Sequence, residues 1–148
     1  MLVSKSARFA TAILIAISAM LVGCAVSQGT DIEQRSGLAC VDDSIECISR
    51  RQSTLRHMVD DPGRAWVKEP PTPEAYASGV RLFAYKTKKK ELSCAELAHG
   101  KQEADAARTS LKSAGAKLTH TQVARGAMLA TEVGRELQNE INRRCQKG

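Results

Sequence analysis

The residues in this chain with chemistry to offer are five cysteines, three histidines and a few carboxylates within a helical turn of them. Cys24 stands apart, behind Leu21, Val22 and Gly23 at the end of an apolar run. A free thiol there is a nucleophile open to alkylation. Cys40, Cys47, Cys94 and Cys145 make a second group, an even number that suits two disulfides in oxidising surroundings. Glu96, His99 and Glu103 share one face of a helix, the spacing of half a metal site. A bundle di-iron centre needs two Glu-x-x-His motifs with carboxylates from other helices, and this chain has one. His120 has no carboxylate within a turn of it, and His57 has only Asp60 and Asp61. The sequence holds no His-Glu-x-x-His, no Gly-x-Ser-x-Gly elbow and no glycine-rich phosphate loop. Cysteine spacings of this length are unlike a redox Cys-x-x-Cys. Asp60 and Asp61 read as a helix-end turn rather than an acid/base pair. The expectation is therefore a non-enzyme, with no catalytic residue, no metal and no cofactor.

The first 24 residues carry an address. Lys5 and Arg8 are the only charges before the apolar stretch from Phe9 to Val22, which has the length of a secretory h-region. Gly23 is the small residue a peptidase needs before its cut. With the cysteine that follows, Leu21-Val22-Gly23-Cys24 resembles a lipobox, the signal of bacterial lipoproteins. The resemblance implies removal of residues 1–23, diacylglyceryl transfer to the Cys24 sulfur and an N-acyl chain such as palmitate. Two or three acyl chains anchor a protein stably, where one is marginal. Ala25 after the cysteine is compatible with the periplasmic face of the outer membrane, and the inner membrane is the alternative address. An uncleaved membrane helix is the competing reading, since Phe9 to Val26 just meets the spanning length.

Of the 148 residues, 125 follow Gly23, enough for one small domain. Without the signal, 20 basic residues face 16 acidic ones, a mild +4. No nucleic-acid motif accompanies that charge. Past the signal the aromatics are Trp66, Tyr76, Phe83 and Tyr85 alone, and period-two β-branched runs are absent. An aliphatic, alanine-rich core of closely packed helices follows.

Ala25 to Ala39 is small and polar and reads as a tether, with a reach of roughly 20 Å for about 15 residues. The domain is then 40–148. Helix one is expected from Asp43, capped by Asp43 with Glu46 three residues on, and carrying Ile45, Ile48, Leu55, Met58 and Val59 as its apolar stripe. Asp60-Asp61-Pro62-Gly63 ends it. Trp66 falls in the proline-rich loop that follows and is expected to fold back over the bundle edge. Helix two runs from about Pro73 to Lys86 behind Thr72, with Tyr76, Val80 and Phe83 along its core face. Helix three opens at Ser93 with Glu96 as box partner, and helix four at Thr119 with Gln122. Their stripes, Leu97, Gly100, Ala104, Ala107 and Leu111 against Val123, Ala127, Ala130, Gly134 and Leu137, predict a tight antiparallel hairpin.

Counted back from a turn near residue 117, Cys94 faces residue 140, about 7 Å in rise from Cys145. A frayed end absorbs that, so Cys94–Cys145 is the expected bridge. Cys40–Cys47 follows only if helix one starts after Cys40, because seven residues of helix span roughly 10 Å. If it starts earlier, both must pair with the hairpin.

The fold expected is all-α: a small disulfide-stapled bundle of about four helices ending in an antiparallel hairpin. The function expected is binding or support of another envelope component by a lipid-anchored module. In size and plan it resembles small helical lipoproteins such as secretion-system pilotins, without a pilotin motif in the chain. A groove between helix two and the hairpin is the expected seat of an envelope protein. The alternative is a peptidoglycan or surface-glycan binder using an exposed Trp66 with Lys86, Lys88, Lys89 and Lys90, followed by an envelope enzyme or an enzyme inhibitor. A small-molecule ligand is not expected.

Overall fold

Serine and threonine set where the helices begin. In the computed structural model, which describes residues 37–146, the first helix, α1, covers Ile45–Asp60. The Ser44 hydroxyl accepts from Cys47 N at 3.2 Å, so Ser44 is the cap rather than Asp43. The Asp43 carboxylate instead receives Arg125 of the last helix, at 2.8 and 3.1 Å. Two capping boxes form where the spacing predicts them. Ser93 and Glu96 exchange bonds at the start of α4, Cys94–Ser113. Thr119 and Gln122 do so at the start of α5, His120–Arg144. Each satisfies two helix-end donors that have no partner within the helix. The lipobox, Cys24 and residues 25–36 of the tether lie outside the described residues.

Helix two is two helices, α2 at Pro73–Ser78 and α3 at Val80–Lys88. Gly79 between them has φ of +78°, a conformation that side chains other than glycine adopt only with strain. A Cβ there would also meet the Leu129 side chain at 2.9 Å. The break restarts the helical phase. A core face counted through an unbroken helix names Phe83. After the break the buried positions are Val80, Arg81, Leu82, Ala84 and Tyr85, and Phe83 is 44% exposed. The expectation for Phe83 is thus corrected, and Leu82 and Tyr85 take its place in the core.

The stripe of α1 also turns. Ile45 and Ile48 face solvent, while Cys47, Thr54 and Met58 face inward and Leu55 and Val59 lie partly buried against the core. The cause is the chain before the helix. The Cys40–Cys47 disulfide draws one side of α1 toward it, and Gly37 N donates to the Thr54 hydroxyl at 3.2 Å. Gly37 is itself buried, so the packed body includes the last residues read as tether. Because α1 begins after Cys40, the Cys40–Cys47 pairing is open to it, and it forms.

The hairpin of α4 and α5 forms the base of the bundle, turning through a short 3₁₀ segment at Gly115–Lys117. Leu97, Ala107 and Leu111 pack with Val133 and Leu137 at zero exposure. Ala104 and Gly134 bring the two backbones close, with only 3.4 Å for a Cβ at Gly134. At the open end, Cys94–Cys145 joins the start of α4 to the end of α5, Cα to Cα 5.8 Å. Helices α2 and α3 lie across one face of the hairpin, and α1 packs on α3. The fold class is all-α and disulfide-stapled. The described residues contain no strand and no helix long and apolar enough to cross a membrane.

Candidate functional site

The group of polar side chains gathered in the interior is centred on Arg81 and Glu103. Their side chains are 2% and 6% exposed, which a charge tolerates only when paired and hydrogen-bonded. Arg81 Nε donates to Glu103 Oε2 at 2.6 Å and Nη2 to Oε1 at 2.5 Å, a bidentate fork. Its remaining donors close on the loop before α2. Nη1 bonds the Trp66 carbonyl at 2.5 Å and Nη2 the Glu69 carbonyl at 2.6 Å. Those carbonyls lie at the end of the 3₁₀ turn Ala65–Lys68, where partial negative charge gathers. Burial works against the Arg81 charge, but the bonds from Glu103 outweigh it and the guanidinium is held protonated more firmly than usual.

Tyr85 completes the cluster. Its hydroxyl donates to Glu103 Oε1 at 2.9 Å. His99 Nδ1 sits 3.1 Å from that hydroxyl and 3.2 Å from Oε1. With the hydroxyl hydrogen given to Glu103, both neighbours of Nδ1 are acceptors, so Nδ1 carries a hydrogen. Burial first, and the Glu103 charge second, push the Tyr85 hydroxyl far above its ordinary value and Tyr76 up to about 12. Neither serves as a base near neutral pH. Trp66 meets Tyr85 edge to face, with ring centroids 4.8 Å apart, and its indole N–H donates to the Met58 carbonyl at 2.8 Å. The ring is 6% exposed. Trp66 therefore folds back as expected and has no face left to stack on a glycan.

Of Glu96, His99 and Glu103, the half-site seen in the sequence, His99 and Glu103 meet at 3.2 Å within this cluster, while Glu96 is drawn away from them. Glu96 reaches Arg64, which donates from Nε at 2.8 Å and Nη2 at 3.3 Å. Arg64 has φ of +47°, rare outside glycine, and the fork to Glu96 holds it there. Chiefly through Arg64, the Glu96 carboxyl is pulled from 4.5 to about 2. A lowered carboxyl pKa stabilises the fold fully above the unfolded value and ceases to do so as pH falls through the folded one. The stability difference between wild type and Glu96→Gln should hence be constant above pH 4.5, narrow as the pH drops, and close below about 2. Urea titrations across that range read it directly. A difference unchanged at pH 2 would deny the Arg64 bond its role.

Among the described residues, the one cluster of three potential metal ligands is Cys40, Asp42 and Cys47, and its two sulfurs are bonded to each other. Asp61 acts in a turn, accepting from Gly63 N at 2.9 Å and Ala65 N at 2.8 Å.

The lysine run is largely committed. Lys86 bonds Glu132 at 2.5 Å and Glu136 at 3.2 Å, Lys89 bonds Glu136, and Lys88 bonds Glu91 at 2.5 Å. Lys89 and Lys86 hold the Glu136 carboxyl below its ordinary range. Lys90 alone of the four is exposed without a carboxylate in contact among the described residues. The bridges of Lys86 and Lys89 tie the end of α3 to α5, and Leu129 packs against Gly79, at the place of the groove expected between helix two and the hairpin. The open depression lies on the other face of the hairpin, a shallow trough along α4 and α5 floored by Ala104, Ala127 and Gly134.

Arg81 and Glu103 are invisible as a pair in the sequence, 22 positions apart among ordinary surface residue types. One signal exists: Glu103 interrupts the apolar stripe of its helix beside Ala104 and Ala107, where a charge needs a buried partner.

No family model matches the chain, and no curated protein or solved structure matches it.

Proposed function

We propose that this protein is a lipid-anchored module of the bacterial cell envelope, tethered through Cys24, that acts by binding or supporting another envelope component rather than by catalysis. One observation carries the reading. All four cysteines behind the lipobox are paired, Cys40 with Cys47 and Cys94 with Cys145, as suits a domain folded in an oxidising compartment. The interior polar groups support it in a second way, since Arg81, Glu103, Tyr85 and Trp66 are occupied in holding the loop 61–72 to α3 and α4. The glycan reading loses its aromatic platform with Trp66 enclosed.

In-cell crosslinking, membrane extraction and intact-mass measurement test the proposal together. The expected protein lacks residues 1–23, carries acyl mass on Cys24, shows four alkylatable thiols only after reduction, and yields a discrete crosslinked envelope species. An intact start without acyl mass, or thiols free before reduction, would overturn the anchor and the compartment. Cys24→Ala should abolish the acyl mass.

A further inference from the structure

We propose that the trough on the outer face of the hairpin docks on a membrane surface of anionic phospholipid. The inference rests on the lipid-anchor reading and adds an orientation for the domain. Ion pairs consume most cations among the described residues; of those with no carboxylate within 4.0 Å, Arg56, Lys68 and Lys90 lie elsewhere, and Arg108, Lys112, Lys117 and Arg135 gather on this side of the hairpin. Three of them line the trough, and Lys117 stands at the hairpin turn beside it. The trough's one acidic group, Asp105, is already bonded to Lys101 at 2.5 Å. The face is thus a row of unmet positive charge over an alanine and glycine floor. Met128, 74% exposed, projects from its rim and supplies an apolar side chain suited to the headgroup boundary.

The path of the chain favours lipid over an acidic protein. The Val41 carbonyl accepts from Gln122 Nε2 at 3.1 Å and Arg125 Nη2 at 3.0 Å, in the opening turns of α5. The chain enters the body at Gly37 against Thr54 of α1, and by Val41 it lies at the end of the hairpin that bears Lys112 and Lys117. Twelve residues separate Cys24 from Gly37, and an acyl anchor at Cys24 keeps the domain beside the leaflet. Basic residues held that near an anionic leaflet are attracted within a Debye length.

Lysine acylation of the full-length protein in vesicles tests this, comparing phosphatidylcholine alone with phosphatidylcholine containing phosphatidylglycerol. Lys112 and Lys117 should react about fivefold more slowly in the anionic vesicles, with Lys68 and Lys90 unchanged. About 1 M salt should erase the difference, because screening then acts within about 3 Å. The exposed double charge reversal Arg108→Glu with Arg135→Glu should remove the protection while leaving the thermal midpoint in place. Equal rates in both lipids, or a chain that floats with neither vesicle, would overturn the proposal. Protection appearing only on addition of soluble polyglutamate would overturn it in favour of an acidic protein. Intact mass of the same sample reads Cys24 separately: a chain retained without acyl mass sinks the anchor, and the lysine pattern still decides the trough.

Discussion

Glu103→Ala is expected to lower the free energy of unfolding by about 3–5 kcal/mol, the range for removing one partner of a buried ion pair. The loss comes mostly from what remains. Arg81, 2% exposed, would keep its charge with no carboxylate to meet it, and the Tyr85 hydroxyl would lose its acceptor. The double variant Arg81→Met with Glu103→Leu separates this from the value of the pair itself. Apolar residues of similar volume often replace a buried pair at little cost. Here the recovery should be partial, because the Trp66 and Glu69 carbonyls would also lose Arg81 as their donor. Each lost hydrogen bond to a charged donor costs about 1.5–3 kcal/mol. Urea unfolding at unchanged m-value checks both. A loss under about 1 kcal/mol for Glu103→Ala would mean the cluster is wetter or looser than its geometry shows.

Removing the Cys94–Cys145 bridge by double serine substitution should cost about 4 kcal/mol in the chain-entropy model, for a separation of 51 residues. The same change at Cys40 and Cys47, seven residues apart, should cost about 2–3 kcal/mol. The first bridge holds the open end of the hairpin, where Arg144 also donates to the Lys90 and Leu92 carbonyls and forms an ion pair with the buried Glu140 carboxylate. Its loss should fray α5 from its C-terminus while the end closed by Gly115–Lys117 stays paired. Hydrogen exchange would show protection falling first over the last turns of α5. Equal losses for the two bridges would mean that the unfolded chain is not free between Cys94 and Cys145, and the loop-entropy account would fail.

Some of this architecture is local, and the sequence reading reached it. A serine or threonine cap with its box partner acts over three residues, so the starts of α4 and α5 were legible as written. Small residues at spacings of three and four made the hairpin legible too, and once the hairpin was drawn, rise placed Cys94 and Cys145 at the same end, within about 7 Å. The candidate site was legible only in pieces. Trp66 was expected inside and is there, but its partners Arg81, Tyr85 and Glu103 were not foreseen.

Composition, caps and helical period determined an all-α bundle, its closing hairpin and the preference for Cys94–Cys145, because those depend on short-range sterics and rise per residue. The tertiary structure alone decided which face of α1 and α3 points inward. A single left-handed glycine at position 79 restarts the phase of one helix, and a disulfide with one hydrogen bond pulls the other about its axis. It also decided the fate of the charges. Whether an arginine is solvated, paired at the surface or enclosed depends on what other segments bring to it. Arg81 is enclosed because Glu103 and two loop carbonyls meet it there, and Arg108 and Arg135 stay exposed because no described carboxylate does.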